Sequence, residues 1–327
     1  MEDIKVSVII PVYKVAPFIR RCAQSLMNQT LPEVEFIFVD DASPDESIDI
    51  LTQVLADYPT RITRIIHHDC NRGLPAARNT GLAQAHGEYV FHCDSDDFVE
   101  PTMLEDMYAA AKAVNADAVW CDWYLSMSQS ERYMPQPQYF TSTDAVKSML
   151  GGGMKFNVWN KLVRRSLYMQ NHIRFPEGRA MGEDMTMIKL FAVAEKVTYL
   201  PKAYYHYVKT NSNAYSRNYT DSNLMQLRGN VDDLSEWLRL RFGEKYSREL
   251  EFLKLEVKFP FLLMDNRKRF YAKWREWYPE ANAFISRNKN ISLRSRMIQQ
   301  LAAAGLFSLV TLYSFLLNKV YYGFKNR

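Results

Sequence analysis

Residues 94–97 read Asp94, Ser95, Asp96 and Asp97, three carboxylates in four positions, directly after the apolar run Tyr89, Val90 and Phe91. Such groups repel one another, and burying them without partners is costly. An Asp-x-Asp at a strand end can turn two carboxylates toward one point, and hard oxygen ligands suit Mg²⁺ or Mn²⁺. A cation held by so few protein ligands completes its shell with water and substrate phosphates, where it would neutralise a diphosphate leaving group. The competing reading is that Asp94 and Asp97 cap a helix starting at Pro101. A second acidic pair, Asp40 and Asp41, closes another apolar run, and a third, Glu183 and Asp184, follows Gly182. The last pair suits a helix's first turn as well as it suits acid–base chemistry.

Alternating strands and helices have to position these groups. Apolar strand patterns cover 5–13, 34–41, 61–68, 88–93 and 116–124. Helical patterns cover 16–29, 73–85 and 101–115, and Ser43 or Asp45 can cap another running to Tyr58. Repeated strand–helix units of this length predict an α/β fold with a mostly parallel sheet between helical layers. Open sheets of this kind bind ligands beyond the carboxyl ends of their strands. Pro11, Val12 and Tyr13, the pair at 40–41 and the acidic turn all fall on that edge. Beyond it come a loop at 126–140, a helix from Thr141, a triple-glycine joint at 151–153 and a helical pattern from 223 to 263. The expected organisation is a catalytic region 1–215 (halves 1–125 and 126–215), a helical extension 216–295 and a C-terminal helix 296–327.

Composition sets the class. The chain has 327 residues, 47% hydrophobic and 24% charged, which is globular, and its net charge of +4 is too mild to argue for nucleic acid. Cys22, Cys70, Cys93 and Cys121 form no CxxC pair, so a disulfide scaffold is not expected and a reducing compartment is. The opening MEDIK runs straight into a strand, so no secretory signal is expected. Between Arg296 and Lys319 lie 22 residues without a formal charge, diluted by Gln299, Gln300, Ser308, Thr311, Ser314 and Asn318. Basic flanks with Tyr321 and Tyr322 suit a helix lying on an anionic membrane surface. A membrane span and a buried docking or homo-oligomer helix stay open as alternatives.

Five segments, in order and spacing, resemble the inverting family-2 glycosyltransferases of GT-A fold, which use nucleotide-diphosphate sugars. They are VSVIIPVYK (6–14), FIFVDDASPDES (36–47), NRGLPAARNTGLAQAHGEYVFHCDSDD (71–97), VWNKLVRRSLY (158–168) and GEDM (182–185). The resemblance implies a Rossmann-like, mostly parallel GT-A sheet with a helical C-terminal extension. It implies that Pro11, Val12 and Tyr13 line a nucleoside pocket, and that Asp40 accepts the base N3–H, usually of uracil, with an Asx-turn opening the helix at 43–45 as the alternative role of Asp40. Asn71 would touch base or ribose, and Arg78 would serve the diphosphate or orient Asp96, with a structural ion pair as the alternative. Asp94 would hold the ribose or a metal-bound water, Asp96 would ligate Mn²⁺ or Mg²⁺ directly, and Ser95 and Asp97 would contact the donor, Asp97 alternatively capping a helix. His206 would add a metal contact or else be structural. Asp184 would be the general base with Glu183 beside it. Trp159, Asn160 and Lys161 would form an acceptor floor, with sheet packing a rival role for Trp159.

The function so implied is metal-dependent inverting transfer of a hexose or N-acetylhexosamine. The donor would be a UDP-sugar and the acceptor a glycan or lipid-linked chain, in capsule, lipopolysaccharide or other surface polysaccharide synthesis. The enzyme would act at the cytoplasmic face of the cell membrane. The alternatives are a sugar-nucleotide or glycan-binding module without chemistry, and a nucleotidyltransferase. The latter would want a Gly/Lys/Arg-rich loop after the first strand, where VYKVAPF is poor.

Overall fold

The computed structural model describes residues 3–210 and 219–313. Its strands are β1 (Val6–Val12), β2 (Val34–Asp40), β3 (Ile62–His67), β4 (Tyr89–His92), β5 (Phe98–Val99), β6 (Ala118–Met127), β7 (Ser130–Met134), β8 (Lys161–Arg164) and β9 (Val197–Val208). They make one sheet in the order β3-β2-β1-β4-β8-β6-β9-β5, with β7 paired to β6 off that path. Every residue of β1, β2 and β4 is buried, as continuous apolar runs require. The helix Leu74–Ala83 packs on β1 and β2. A Cβ on its Gly81 would lie 2.4 Å from Ile9 Cγ2, so glycine sets that close approach.

All five expected strands are present, and the sheet is mixed rather than mostly parallel. The ladders β1/β2, β1/β4, β2/β3 and β6/β9 are parallel, while β4/β8, β6/β8, β5/β9 and β6/β7 are antiparallel. The reversal comes from β8, four residues inserted between β4 and β6 and too short to show a period in the sequence. Residues 130–134, expected in a loop, are β7. Buried Asp122 gathers that hairpin by accepting from Tyr133 Oη, Gln136 N at 2.6 Å and Tyr199 Oη at 2.7 Å.

The ligand edge opens beside β1. Its pairing with β4 stops at Ile9↔His92, whereas pairing with β2 continues to Val12↔Asp40. Ile9 O still accepts from Cys93 N and Val12 O from Asp41 N, so odd positions face the β4 side. Pro11, which has no N–H, therefore turns that side toward a strand that has already ended. Strand order reverses at this point, which is where open α/β sheets hold ligands.

Contacts divide the chain into Met1–Val146 with Phe156–Leu234, and Lys147–Lys155 with Ser235–Arg327. In the second unit Asn288 donates to Gly151 O at 3.0 Å, and the buried Lys258 ammonium donates to Trp277 O, Tyr278 O and Asn282 Oδ1. The helix Leu293–Ala303 stops before Gly305 (φ +78°), and helical backbone returns at 307–313. The uncharged run is thus broken within its described part. No helix among the described residues is long and apolar enough to cross a membrane, and residues 314–327 of the expected C-terminal helix lie outside them.

Candidate active site

Two non-glycine residues, Lys14 and Ala42, take φ +55° just past the ends of β1 and β2, so both chains turn sharply at the ligand edge. Their loops are bonded together: Ser43 Oγ accepts from Lys14 N, Ser47 Oγ from Val15 N, and Asp45 Oδ2 from Ala16 N. Ser43 and Asp45, expected as helix caps, serve this cross-loop clamp. Asp40 accepts from Ser43 N at 2.8 Å and lies 2.9 Å from His67 Nδ1. Asp41 accepts from Arg72 N and Gly73 N at 2.8 Å each and meets His68 Nδ1 at 2.7 Å, which fixes the loop carrying Asn71. Tyr13 stands exposed beside this mouth, and Pro11 and Val12 lie buried behind it.

The acidic turn alternates. Asp94 and Asp96 are half-buried, Ser95 and Asp97 buried. Asp97 accepts from Tyr205 Oη and Val208 N, both at 2.7 Å, so it is pinned to β9. Burial, then the charges of Asp96 and Asp94, push its carboxyl well above the usual range. Asp97 therefore caps no helix, and at 1% exposure it presents nothing to a sugar hydroxyl. His206 is corrected as well. Its Nδ1 lies 2.7 Å from Glu131 Oε1 and its Nε2 2.8 Å from Glu100 Oε1, which leaves neither nitrogen for a metal. Its ring stacks between Phe98 and Tyr124.

Arg78 joins the turn to the acidic pair. Its side chain is buried, with Nη2 2.9 Å from Asp94 Oδ1, and Nη1 2.9 Å from Glu183 Oε1 and 3.3 Å from Asp184 Oδ1. Burial works against its charge, but Asp94, Glu183 and Asp184 outweigh burial and hold the guanidinium protonated. Burial, with Asp184 beside it, pushes Glu183 up to about 8 against the pull of Arg78. Burial also raises Asp184; Arg78 opposes this, Asp94 adds to it and Lys161 opposes it. Gly182 sets the pair's entry with φ +85°, in the left-handed region that favours glycine. Asp184 keeps 30% of its side chain exposed while Glu183 keeps 10%, so Asp184 is the one a substrate can reach.

The profile of Glycosyl transferase family 2 matches residues 7–187, more than half of the chain. The chain belongs to glycosyltransferase family 2. Among its relatives is the glycosyltransferase EpsJ of Bacillus subtilis, 34% identical over 212 residues, covering 62% of this chain and 60% of that protein. The chain thus spans about three fifths of the length of that relative. Staphylococcus aureus TarS 1–349, crystallised with UDP-GlcNAc, superposes with a TM-score of 0.61 at 20% identity, covering 98% of this chain and 92% of that one. A mannosyltransferase from Pyrobaculum calidifontis, solved with GDP-Man and Mn²⁺, gives 0.57 at 16% identity, covering 96% and 84%. The fold is that of GT-A enzymes.

In this family 2 glycosyltransferase the expected acceptor floor lies beneath the surface. Trp159, Asn160 and Lys161 are 5%, 0% and 1% exposed. Trp159 stacks on Tyr205 and Tyr207 at 4.5 and 5.3 Å and meets Trp123 edge-on, so its ring packs the sheet instead of a sugar. Asn160 Nδ2 donates to Cys121 O, and Lys161 Nζ donates to Asn157 O and Asn160 Oδ1, each at 2.8 Å. Burial pushes Lys161 down to about 7 against the attraction of Asp184. The wall around Arg78 went unread in the sequence: Phe175 lies 5.4 Å from the guanidinium, and buried His92 is pushed well down by burial and by Arg78. An isolated His or Phe carries no signal for such a role.

The donor set fits a hard cation. Asp94 and Asp96 are the half-buried carboxylates of the turn, and their charges weigh on Asp97, an electrostatic demand that a divalent ion would answer. Among the described residues no three His, Cys, Asp or Glu side chains converge to hold a metal by themselves. Phosphate and water oxygens would complete such a shell.

Proposed function

We propose that this glycosyltransferase moves a hexose or N-acetylhexosamine from a UDP-sugar to a glycan or lipid-linked acceptor by one inverting displacement, in surface-polysaccharide assembly on the cytoplasmic side of the membrane. One observation carries it: buried Arg78 gathers Asp94 of the acidic turn and the pair Glu183 and Asp184 into a single cluster. A donor-holding end and a base thereby face one another, as a transfer in one step needs. Relatives support the substrate classes. TarS of S. aureus is a poly(ribitol-phosphate) β-N-acetylglucosaminyltransferase, and a Borreliella burgdorferi relative is a cholesterol galactosyltransferase.

Asp40 reads the base N–H at the end of β2, Tyr13 flanks the base, and Asn71 reaches the nucleoside from the loop that Asp41 fixes. Ser95 contributes to the donor side of the turn. Asp96 and Asp94 would hold Mn²⁺ or Mg²⁺, which when bound supplies charge neutralisation for the departing diphosphate. Asp96 serves as the direct ligand, and Asp94, with one oxygen given to Arg78, stands beside it. Asp184 takes the acceptor hydroxyl proton: burial raises its proton affinity and its 30% exposure admits the hydroxyl. Glu183, held to Arg78, keeps that helix start in place.

Asp184→Asn should leave UDP affinity nearly unchanged and lower kcat about a hundred- to ten-thousand-fold, because the lost interaction belongs to the transition state. The anomeric proton of the product, read by NMR, should show inversion relative to the donor. Retained configuration, or near-normal turnover of the variant, would sink the reading.

A further inference from the structure

Charge is distributed unevenly along this chain. Residues 281–327 contain seven Lys or Arg and no Asp or Glu, so the overall +4 divides into −3 for residues 1–280 and +7 beyond. Such an asymmetry is a mark of a region that meets an anionic surface. In the second unit this basic stretch builds two short helical pieces, Leu293–Ala303 and 307–313. Each packs one side inward. Ile298, Gln299 and Ala302 are buried on the first, and on the second Val310 is buried and Phe307 lies against Tyr271.

The other sides are apolar yet open. Leu293 is 77% exposed and Met297 48%, one helical turn apart. Leu306, Leu309 and Leu312 are 45%, 44% and 54% exposed, recurring every third residue. Arg287, Lys289 and Arg294 are exposed among them. Scattered surface leucines need no explanation, but four leucines and a methionine on two helical pieces and their joint inside an acid-free basic segment do. A protein partner's groove would cover the leucines without calling for the exposed cations Arg287, Lys289 and Arg294. A bilayer of anionic lipid answers both, since acyl chains take the leucines and headgroups the cations.

We infer that the helical pieces at 293–303 and 307–313 form a membrane-surface dock, seating Leu293, Met297, Leu306, Leu309 and Leu312 in an anionic lipid interface with Arg287, Lys289 and Arg294 at the headgroups. This dock lies flat on the interface and needs no membrane span, and it stands independently of the proposed donor and acceptor.

The test is flotation of the full chain with vesicles of phosphatidylglycerol and phosphatidylcholine mixed equally, and with phosphatidylcholine alone, at low and high salt. Wild type should float with the anionic vesicles and lose much of that binding at high salt. Serine at positions 293, 297, 306 and 309 together, or Arg287→Glu, Lys289→Glu and Arg294→Glu together, should each lower the bound fraction at least about ten-fold. Both sets should keep the wild-type unfolding midpoint, because the changed side chains are exposed. The inference is overturned if wild type does not float, or if the charge reversals leave flotation unchanged. It is overturned too if the serine set lowers the midpoint sharply, which would mean that this face is packed within the protein. A dimer at sedimentation equilibrium that the serine set turns into monomer would assign the face to a second copy and overturn it equally.

Discussion

Arg78 places one guanidinium among three carboxylates, with Asp94, Glu183 and Asp184 all within 3.3 Å of its nitrogens. The sequence offers Arg78 as a contact for the diphosphate or as an ion pair with the turn, and the structure shows the ion pair, extended to Glu183 and Asp184. Its electrostatic effect on Asp184 has a sign that kinetics can read. Arg78 lowers the proton affinity that burial raises, and Asp184 must be ionised to act as a base. Arg78→Gln should therefore move the acid limb of the kcat–pH profile upward, with Arg78→Lys falling between. An unmoved limb, with activity lost equally at all pH, would give Arg78 a purely structural role. His206 teaches the converse lesson. A histidine in the right part of the chain looks like a ligand until its two nitrogens are found 2.7 and 2.8 Å from Glu131 and Glu100.

At the scale of elements, β9 does the work that a twelve-residue aromatic strand can do and its sequence did not announce. Its alternation puts Tyr205 and Tyr207 on one face, stacked on Trp159, and His206 on the other, between Phe98 and Tyr124. The same strand gives Tyr205 Oη and Val208 N to Asp97, so the acidic turn hangs from β9 as much as from β4. Trp159 is then a packing residue. Trp159→Ala should cost about 3–5 kcal/mol of stability by urea denaturation, with Trp159→Phe milder, and should leave Mn²⁺-dependent UDP affinity within a few-fold of wild type below the transition. A variant of normal stability that had lost acceptor affinity would return Trp159 to the substrate. The period-two pattern of β9 escaped the sequence because both of its faces are aromatic, which erases the polar alternation that marks a strand.

For the whole molecule, ligand binding and folding are linked. Mn²⁺ with UDP at about a hundred times the dissociation constant should stabilise the native state by about 2.7 kcal/mol, raising the thermal midpoint by several degrees. EDTA or Asp96→Ala should remove most of that gain, and an equal gain in EDTA would exclude the acidic turn from metal binding. The sequence by itself determined the alternating α/β class, five of the strands, the family, and the edge where Asp40, Asp94 and Asp96 would be sought. These features are local: strand periods, turn chemistry and short motifs each lie within a few neighbouring positions. Only the tertiary structure decided which side chains have partners. Glu183 lies 105 residues from Arg78 and Asp97 lies 111 from Val208, separations at which a bond leaves no trace in residue type or spacing. The insertion of β8 between β4 and β6 was settled the same way. So was the burial of Trp159, Asn160 and Lys161, because packing selects among the polar and aromatic groups that a sequence can only nominate.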